Sequence, residues 1–202
     1  MTPRLGLPAL AVGLVATLLA RPAAAQDPRL ERLDAGTRPL VAALVDSART
    51  AGLPAEPLVQ RALEGTIKGA PGDRIVAAVR RLAADLGRAR DALGPAASPP
   101  ELEAGAAALR AGASPAVLVQ LRRSRPQRLT VPLAVLTDLV ASGVPVDSAA
   151  AAVLALAATS RDADLVEFRR AVERDIGLGA PPAAAASVRV NGAASQARPG
   201  PP

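Results

Sequence analysis

No cysteine, histidine, tryptophan or tyrosine occurs in this 202-residue chain, and Phe168, Met1 and Lys68 are the only residues of their types. Each absence closes a class of chemistry. Without imidazole or thiol there is no Ser-His-Asp or Cys-His nucleophile, no His-ligated zinc, no iron–sulfur cluster and no haem attachment. Without cysteine there are no disulfides, so the fold must rest on packing alone, and a bacterial lipoprotein anchor has no acceptor. The scarcity of aromatics removes the platforms on which single-stranded bases stack. With one lysine, a Ser-Lys dyad could use only Lys68, which stands four residues after Glu64 on an expected helix, where a surface ion pair is the ordinary outcome.

What remains is half hydrophobic, with 20 prolines, 16 glycines and a formal charge of +6. The positive charge is nearly all arginine, which with abundant Ala, Gly and Pro is the composition of a GC-rich bacterial genome. Ala, Leu and Val must fill the interior, and such small side chains suit helices whose backbones approach closely. Strands would want the β-branched and aromatic residues that are scarce here. The expectation is an all-α fold.

Residues 1–25 read as a cleavable signal peptide. Arg4 gives a short positive region, Leu5–Ala20 an uncharged apolar one, and Ala23-Ala24-Ala25 a small-residue site with cleavage after Ala25. The apolar stretch is shorter than the roughly 20 residues that span a bilayer. Removing it takes away Arg4 and Arg21 and no acid, so the charge falls from +6 to +4. An exported, mildly basic protein is expected in the periplasm or outside the cell, with no nucleic-acid partner. No later segment is predicted to cross a membrane, because Asp138, Pro145 and Asp147 interrupt the most apolar stretch.

Glycines and prolines punctuate residues 26–177 at helix-length intervals, predicting seven or eight short helices after a lead-in near Asp27–Asp34. Thr37 is expected to cap the first, and Ser98-Pro99-Pro100-Glu101 is a capping box. The last ends at Gly177. Ala51-Gly52-Leu53-Pro54, Ala111-Gly112-Ala113-Ser114 and Ser142-Gly143-Val144-Pro145 are similar turns, and Leu-Val-Gln follows the first two at 58–60 and 118–120. Gly52 to Gly69, Gly143 to Ser160 and Ser160 to Gly177 each span 17 residues, one helix plus its turn. Antiparallel helical hairpins follow, stacked as a repeat-like right-handed solenoid or a compact bundle. The aromatic positions of tetratricopeptide repeats are absent. Residues 178–202, rich in Ala, Pro and Gly and without an apolar period, are expected to be disordered.

The stretch Ala51-Gly-Leu-Pro-Ala-Glu-Pro-Leu-Val-Gln-Arg-Ala-Leu-Glu-Gly-Thr-Ile-Lys-Gly-Ala-Pro-Gly-Asp-Arg74 resembles one that recurs in exported bacterial helical proteins. That resemblance covers about a quarter of the chain. It implies no activity, and no functional residue is carried over.

Few sites remain. Glu101 and Glu103, like Asp162 and Asp164, are two apart in first helical turns, where the helix dipole favours negative charge. A hydrolase using carboxylates alone is therefore the weakest alternative. No calcium loop or Walker motif is present, and no metal or other cofactor is expected. The one concentrated feature is Arg122, Arg123, Arg125 and Arg128, with Pro126 preventing a continuous helix. Arginine at this density can grip phosphate or carboxylate bidentately, or can simply neutralise a helix end. The leading expectation is a non-enzymatic helical-repeat module that binds a protein or peptide of the cell envelope. The alternative is a surface binder that uses the four arginines on anionic lipid or glycan.

Overall fold

The computed structural model describes residues 27–196, so the expected signal peptide with its Ala25 site, and residues 197–202, lie outside the described residues. Those described are all-helical. A 3-10 turn at Pro28–Arg32 precedes nine α-helices: α1 Thr37–Thr50, α2 Glu56–Ile67, α3 Gly72–Leu93, α4 Pro99–Arg110, α5 Pro115–Ser124, α6 Thr130–Ala141, α7 Val146–Ala157, α8 Asp162–Gly177 and α9 Pro182–Gln196. No helix among the described residues is long and apolar enough to cross a membrane.

The helices form two layers. The odd-numbered ones pack in succession, α1 on α3, α3 on α5, α5 on α7 and α7 on α9, while α4 packs on α6 and α6 on α8. Contacts of α2 with α3, α3 with α4, α6 with α7 and α8 with α9 join the layers. Packing each helix on the next but one is the arrangement of stacked hairpins, and the helices together make a compact bundle. Leucine, valine and alanine fill the space between the layers, with Leu58, Leu86, Leu118, Leu133, Leu136 and Leu165 fully buried.

The repetition lies in the turns more than in a constant interval. After α1, α2, α4, α6 and α8 the chain makes one and the same reversal. After α1, for example, Gly52 N–H donates to Arg49 O and Leu53 N–H to Ala48 O, both at 2.9 Å. The same pair of bonds recurs around Gly69, Gly112, Gly143 and Gly179, each with positive φ. This double bond to the last carbonyls needs a left-handed residue, which glycine supplies without a Cβ clash. An apolar residue follows each glycine and then Pro or Ser, so the next helix starts at once. Six residues after the glycine stand Leu58, Ile75, Leu118, Ala149 and Ala185, and all five are buried. Of the Leu-Val-Gln echo only the buried leucine follows from the turn; Val-Gln is absent at the same place after Gly69, Gly143 and Gly179.

Three expectations are corrected. Gly177 is still helical, and the left-handed residue that closes α8 is Gly179. Thr37 does not cap α1: it is buried at the first helical position, and Asp34 Oδ1 accepts the N–H groups of Gly36 and Thr37 at 2.9 Å each. The helical domain does not stop at residue 177. Helix α9 occupies 182–196, seats Ala185 and Ala186 against the core, and is tied to α8 by two 2.7 Å bonds from Arg189 to Asp175. Its alanines bury too little area each to show as a period, but neighbours in both layers make up for that.

Close backbone approach is visible at Gly72, the first residue of α3. A Cβ there would lie 2.0 Å from Thr37 Oγ1 and 3.2 Å from Asp34 Oδ2. Gly72→Ala is expected to destabilise the protein by about 1–2 kcal/mol through overpacking. Gly87→Ala, in the middle of α3 with nothing within 4 Å of the new Cβ, should stabilise it by about 0.5–1 kcal/mol. Urea melts of the two variants check the opposite signs.

Candidate anion-binding groove

The structure splits the four arginines into two kinds. Arg125, the C-cap of α5, is buried, and its guanidinium donates to Ala157 O at 2.8 Å, Ser160 O at 2.6 Å and Asp162 Oδ1 at 2.6 Å. Arg122 donates to Glu101 Oε1 and, at 3.4 Å, to Gln127 O. Both are occupied within the fold. Arg123 and Arg128 are exposed and form no ion pair among the described residues. They remain open to an outside anion. The nearest hollow, about 490 Å³, is lined by Arg125, Gln127, Arg128 and the α7–α8 turn through Asp162.

Glu101 is equally committed. Its carboxylate is buried and accepts Ser98 N–H at 2.9 Å, Ser98 Oγ–H at 2.8 Å, Leu129 N–H at 2.9 Å and the Arg122 guanidinium. Burial pushes its pKa up, but the bonds from Ser98, Leu129 and Arg122 outweigh that and hold it at about 2. A carboxylate held this low and surrounded by donors makes a poor general acid or base near neutral pH. Glu103, two residues on, is exposed. Lys68 makes the expected pair with Glu64 at 2.6 Å, and its ammonium lowers the Glu64 pKa. No group of three or more acidic side chains among the described residues could hold a metal ion.

A second cationic feature arises where the even-numbered layer is interrupted. Helix α3 has 22 residues, whereas α2 and α4 have 12 each. Near its start it meets α2, where a Cβ on Gly65 would come within 2.7 Å of Ile75 Cγ1. Near its end it meets α4, where a Cβ on Gly105 would come within 3.1 Å of Ala89 Cβ and Leu93 Cδ1. Helix α2 does not pack on α4 as α4 packs on α6, which leaves the middle of α3 facing a groove. Its contiguous hollows measure about 420, 490 and 150 Å³. Ala78, Leu82 and Ala84 give it a small apolar floor above the fully buried Leu86, and Arg61, Arg81, Arg88 and Arg110 stand around it with Glu64, Asp85 and Glu103.

These arginines differ in how far they are committed. Arg88 holds Asp85 at 2.6 Å and Arg61 holds Glu64 at 3.3 Å. Arg81 and Arg110 are exposed and have no carboxylate partner among the described residues, nor does Arg74 at the α2–α3 end. Elsewhere, arginines that link separate helices have acceptors: Arg29 on Glu56, Arg90 on Ala51 O and Gly52 O, Arg169 on Asp138 and Arg189 on Asp175. Sequence reasoning passed over Arg81 and Arg110. The one available signal was Arg74, Arg81 and Arg88 at seven-residue intervals, which place three cations along one stripe of a helix.

Fold and groove together define a two-layer all-α bundle with an interrupted layer. No family model, curated protein or solved structure matches the chain.

Proposed function

We propose that this protein is a non-catalytic interaction module of the bacterial cell envelope, which receives a segment of a partner protein in the groove between α2 and α4. The observation that carries the reading is the pair Arg81 and Arg110, exposed beside the small floor of Ala78, Leu82 and Ala84 with no carboxylate partner among the described residues. A small apolar floor beside unpaired guanidinium groups suits a protein segment, which can bring carboxylates to the arginines and a few apolar atoms to the floor. Export rests on the leader-like residues 1–25. The absence of His and Cys, together with the engagement of Glu101, supports the non-catalytic part.

The test is site-directed. A photo-crosslinking side chain at Gln60 or Ala84, both on the groove lining, should capture the same partner from envelope extract. The Arg81→Glu/Arg110→Glu variant of the same probe should lose it. Capture that survives the double charge reversal would overturn the reading. The exposed pair Arg123 and Arg128 supports a second reading, adsorption to anionic lipid or glycan. It requires vesicle binding that weakens with salt and disappears in Arg123→Gln/Arg128→Gln.

A further inference from the structure

We infer that the groove selects an acidic amphipathic segment of its partner, with carboxylates placed about two helical turns apart to meet Arg74 and Arg81, the two arginines of the α3 stripe that hold no carboxylate of their own. The inference rests on the groove being the binding surface and adds the chemistry of what it binds. Arg74, Arg81 and Arg88 succeed one another at seven-residue intervals, and at about 1.5 Å rise per residue each step is about 10 Å. Arg110 of α4 and Arg61 of α2 line the same hollows from the two sides, so cations ring the floor. The ring is interrupted by Glu64, Asp85 and Glu103. A continuous polyanion, such as a nucleic acid or a polyphosphate, would bring phosphates against those carboxylates. A chain with spaced acidic groups can seat them on Arg81 and Arg110 and leave the carboxylates to its own polar or cationic residues.

The floor argues in the same direction. Leu82 is 7% exposed and lies in both main hollows, with Ala78 and Ala84 lining one of them. These small apolar surfaces would gain nothing from a hydrated ion, whereas alanine or leucine side chains of a helix would cover them. Guanidinium groups rising from a low apolar surface bind carboxylates bidentately with less competition from water than they would on an open face.

The experiment uses the leader-free protein and a fluorescein-labelled 18-residue Ala/Leu-based peptide with Glu at positions 2, 9 and 16. Fluorescence anisotropy at low salt compares it with the same peptide carrying Gln at those positions. Binding of the Glu peptide, roughly tenfold weaker for the Gln peptide and again roughly tenfold weaker for Arg81→Glu/Arg110→Glu, is the expected result. Circular dichroism checks that the variant keeps its helix content, and Arg81→Gln/Arg110→Gln replaces it should the reversal unfold the chain. Equal binding of the two peptides overturns the inference, as does equal binding by wild type and variant. If Arg81→Glu/Arg110→Glu abolishes partner capture in extract while neither peptide binds, the groove reading stands and the acidic-segment inference falls. If anionic vesicles or polyphosphate bind through Arg81 and Arg110 and the Glu peptide does not, the inference falls in favour of a phosphate-bearing ligand.

Discussion

Arg125→Met is expected to lower the unfolding free energy by about 3 kcal/mol, while Arg123→Gln and Arg128→Gln, from the same short run, should each change it by no more than about 0.5 kcal/mol. The contrast follows from what each guanidinium touches. The turn from α7 to α8 lacks the Gly-apolar-Pro/Ser pattern, and no left-handed residue closes α7. Its terminal carbonyls need donors from elsewhere, and Arg125 supplies them to Ala157 and Ser160 while its remaining bond reaches Asp162 at the start of α8. Methionine fills much of the aliphatic volume and donates nothing, which strands the buried carbonyl of Ala157 and the part-buried one of Ser160. The pair with Asp162 adds little to this, because that carboxylate side chain is 49% exposed and screened by water. Arg125→Lys should recover only part of the loss, since one ammonium cannot reproduce the planar fork that spans three acceptors. Urea unfolding of the four variants is the measurement. A shift for Arg125→Met no larger than for Arg123→Gln would show that the turn is held by something else.

This contrast also shows where sequence reading stops. Most helix ends through α8 were legible because they carry local chemistry, a Gly-apolar-Pro/Ser turn or a Ser followed three residues later by Glu101; the α5–α6 and α7–α8 connections carry neither. Helix α9 was missed because Ala185 and Ala186 bury too little to mark a face, and its support comes from α7 and α8. The four arginines look equivalent in the sequence. What separates Arg125 from Arg128 is a set of acceptors 32 to 37 residues away, which no local pattern encodes. The same holds for Glu101, whose first-turn position is visible but whose partners Arg122 and Leu129 are 21 and 28 residues further on. The groove is a property of layer order. It exists because a long α3 keeps α2 and α4 apart, and its one local trace, the seven-residue spacing of Arg74, Arg81 and Arg88, marks a helix stripe and not a groove.

Glu101 gives the other large effect, and acid should reveal it. The carboxyl stays ionised in the folded chain down to about pH 2, against an ordinary value of 4.5. Between those values the unfolded chain takes up a proton that the folded one refuses. The stabilisation from this group is therefore complete above about pH 4.5 and disappears as the pH falls towards 2. A displacement of this size corresponds to about 3 kcal/mol, a real fraction of the stability of a domain this small. Asp34, Glu56, Asp164 and Asp175 are also held low by their partners and add to the acid limb with the same sign. They are common to every variant, so the part due to Glu101 can be isolated. Glu101→Gln should cost about 2–4 kcal/mol at neutral pH, because the amide leaves the Arg122 charge without its counterion and brings N–H groups where donors already converge. Its unfolding free energy should then fall less steeply than that of the wild type between pH 4.5 and 2. Arg122→Met keeps the three neutral donors from Ser98 and Leu129 and should lie between the two. Parallel pH profiles for the wild type and Glu101→Gln would mean that the carboxylate does not hold α4, α5 and the start of α6 together as its bonds indicate.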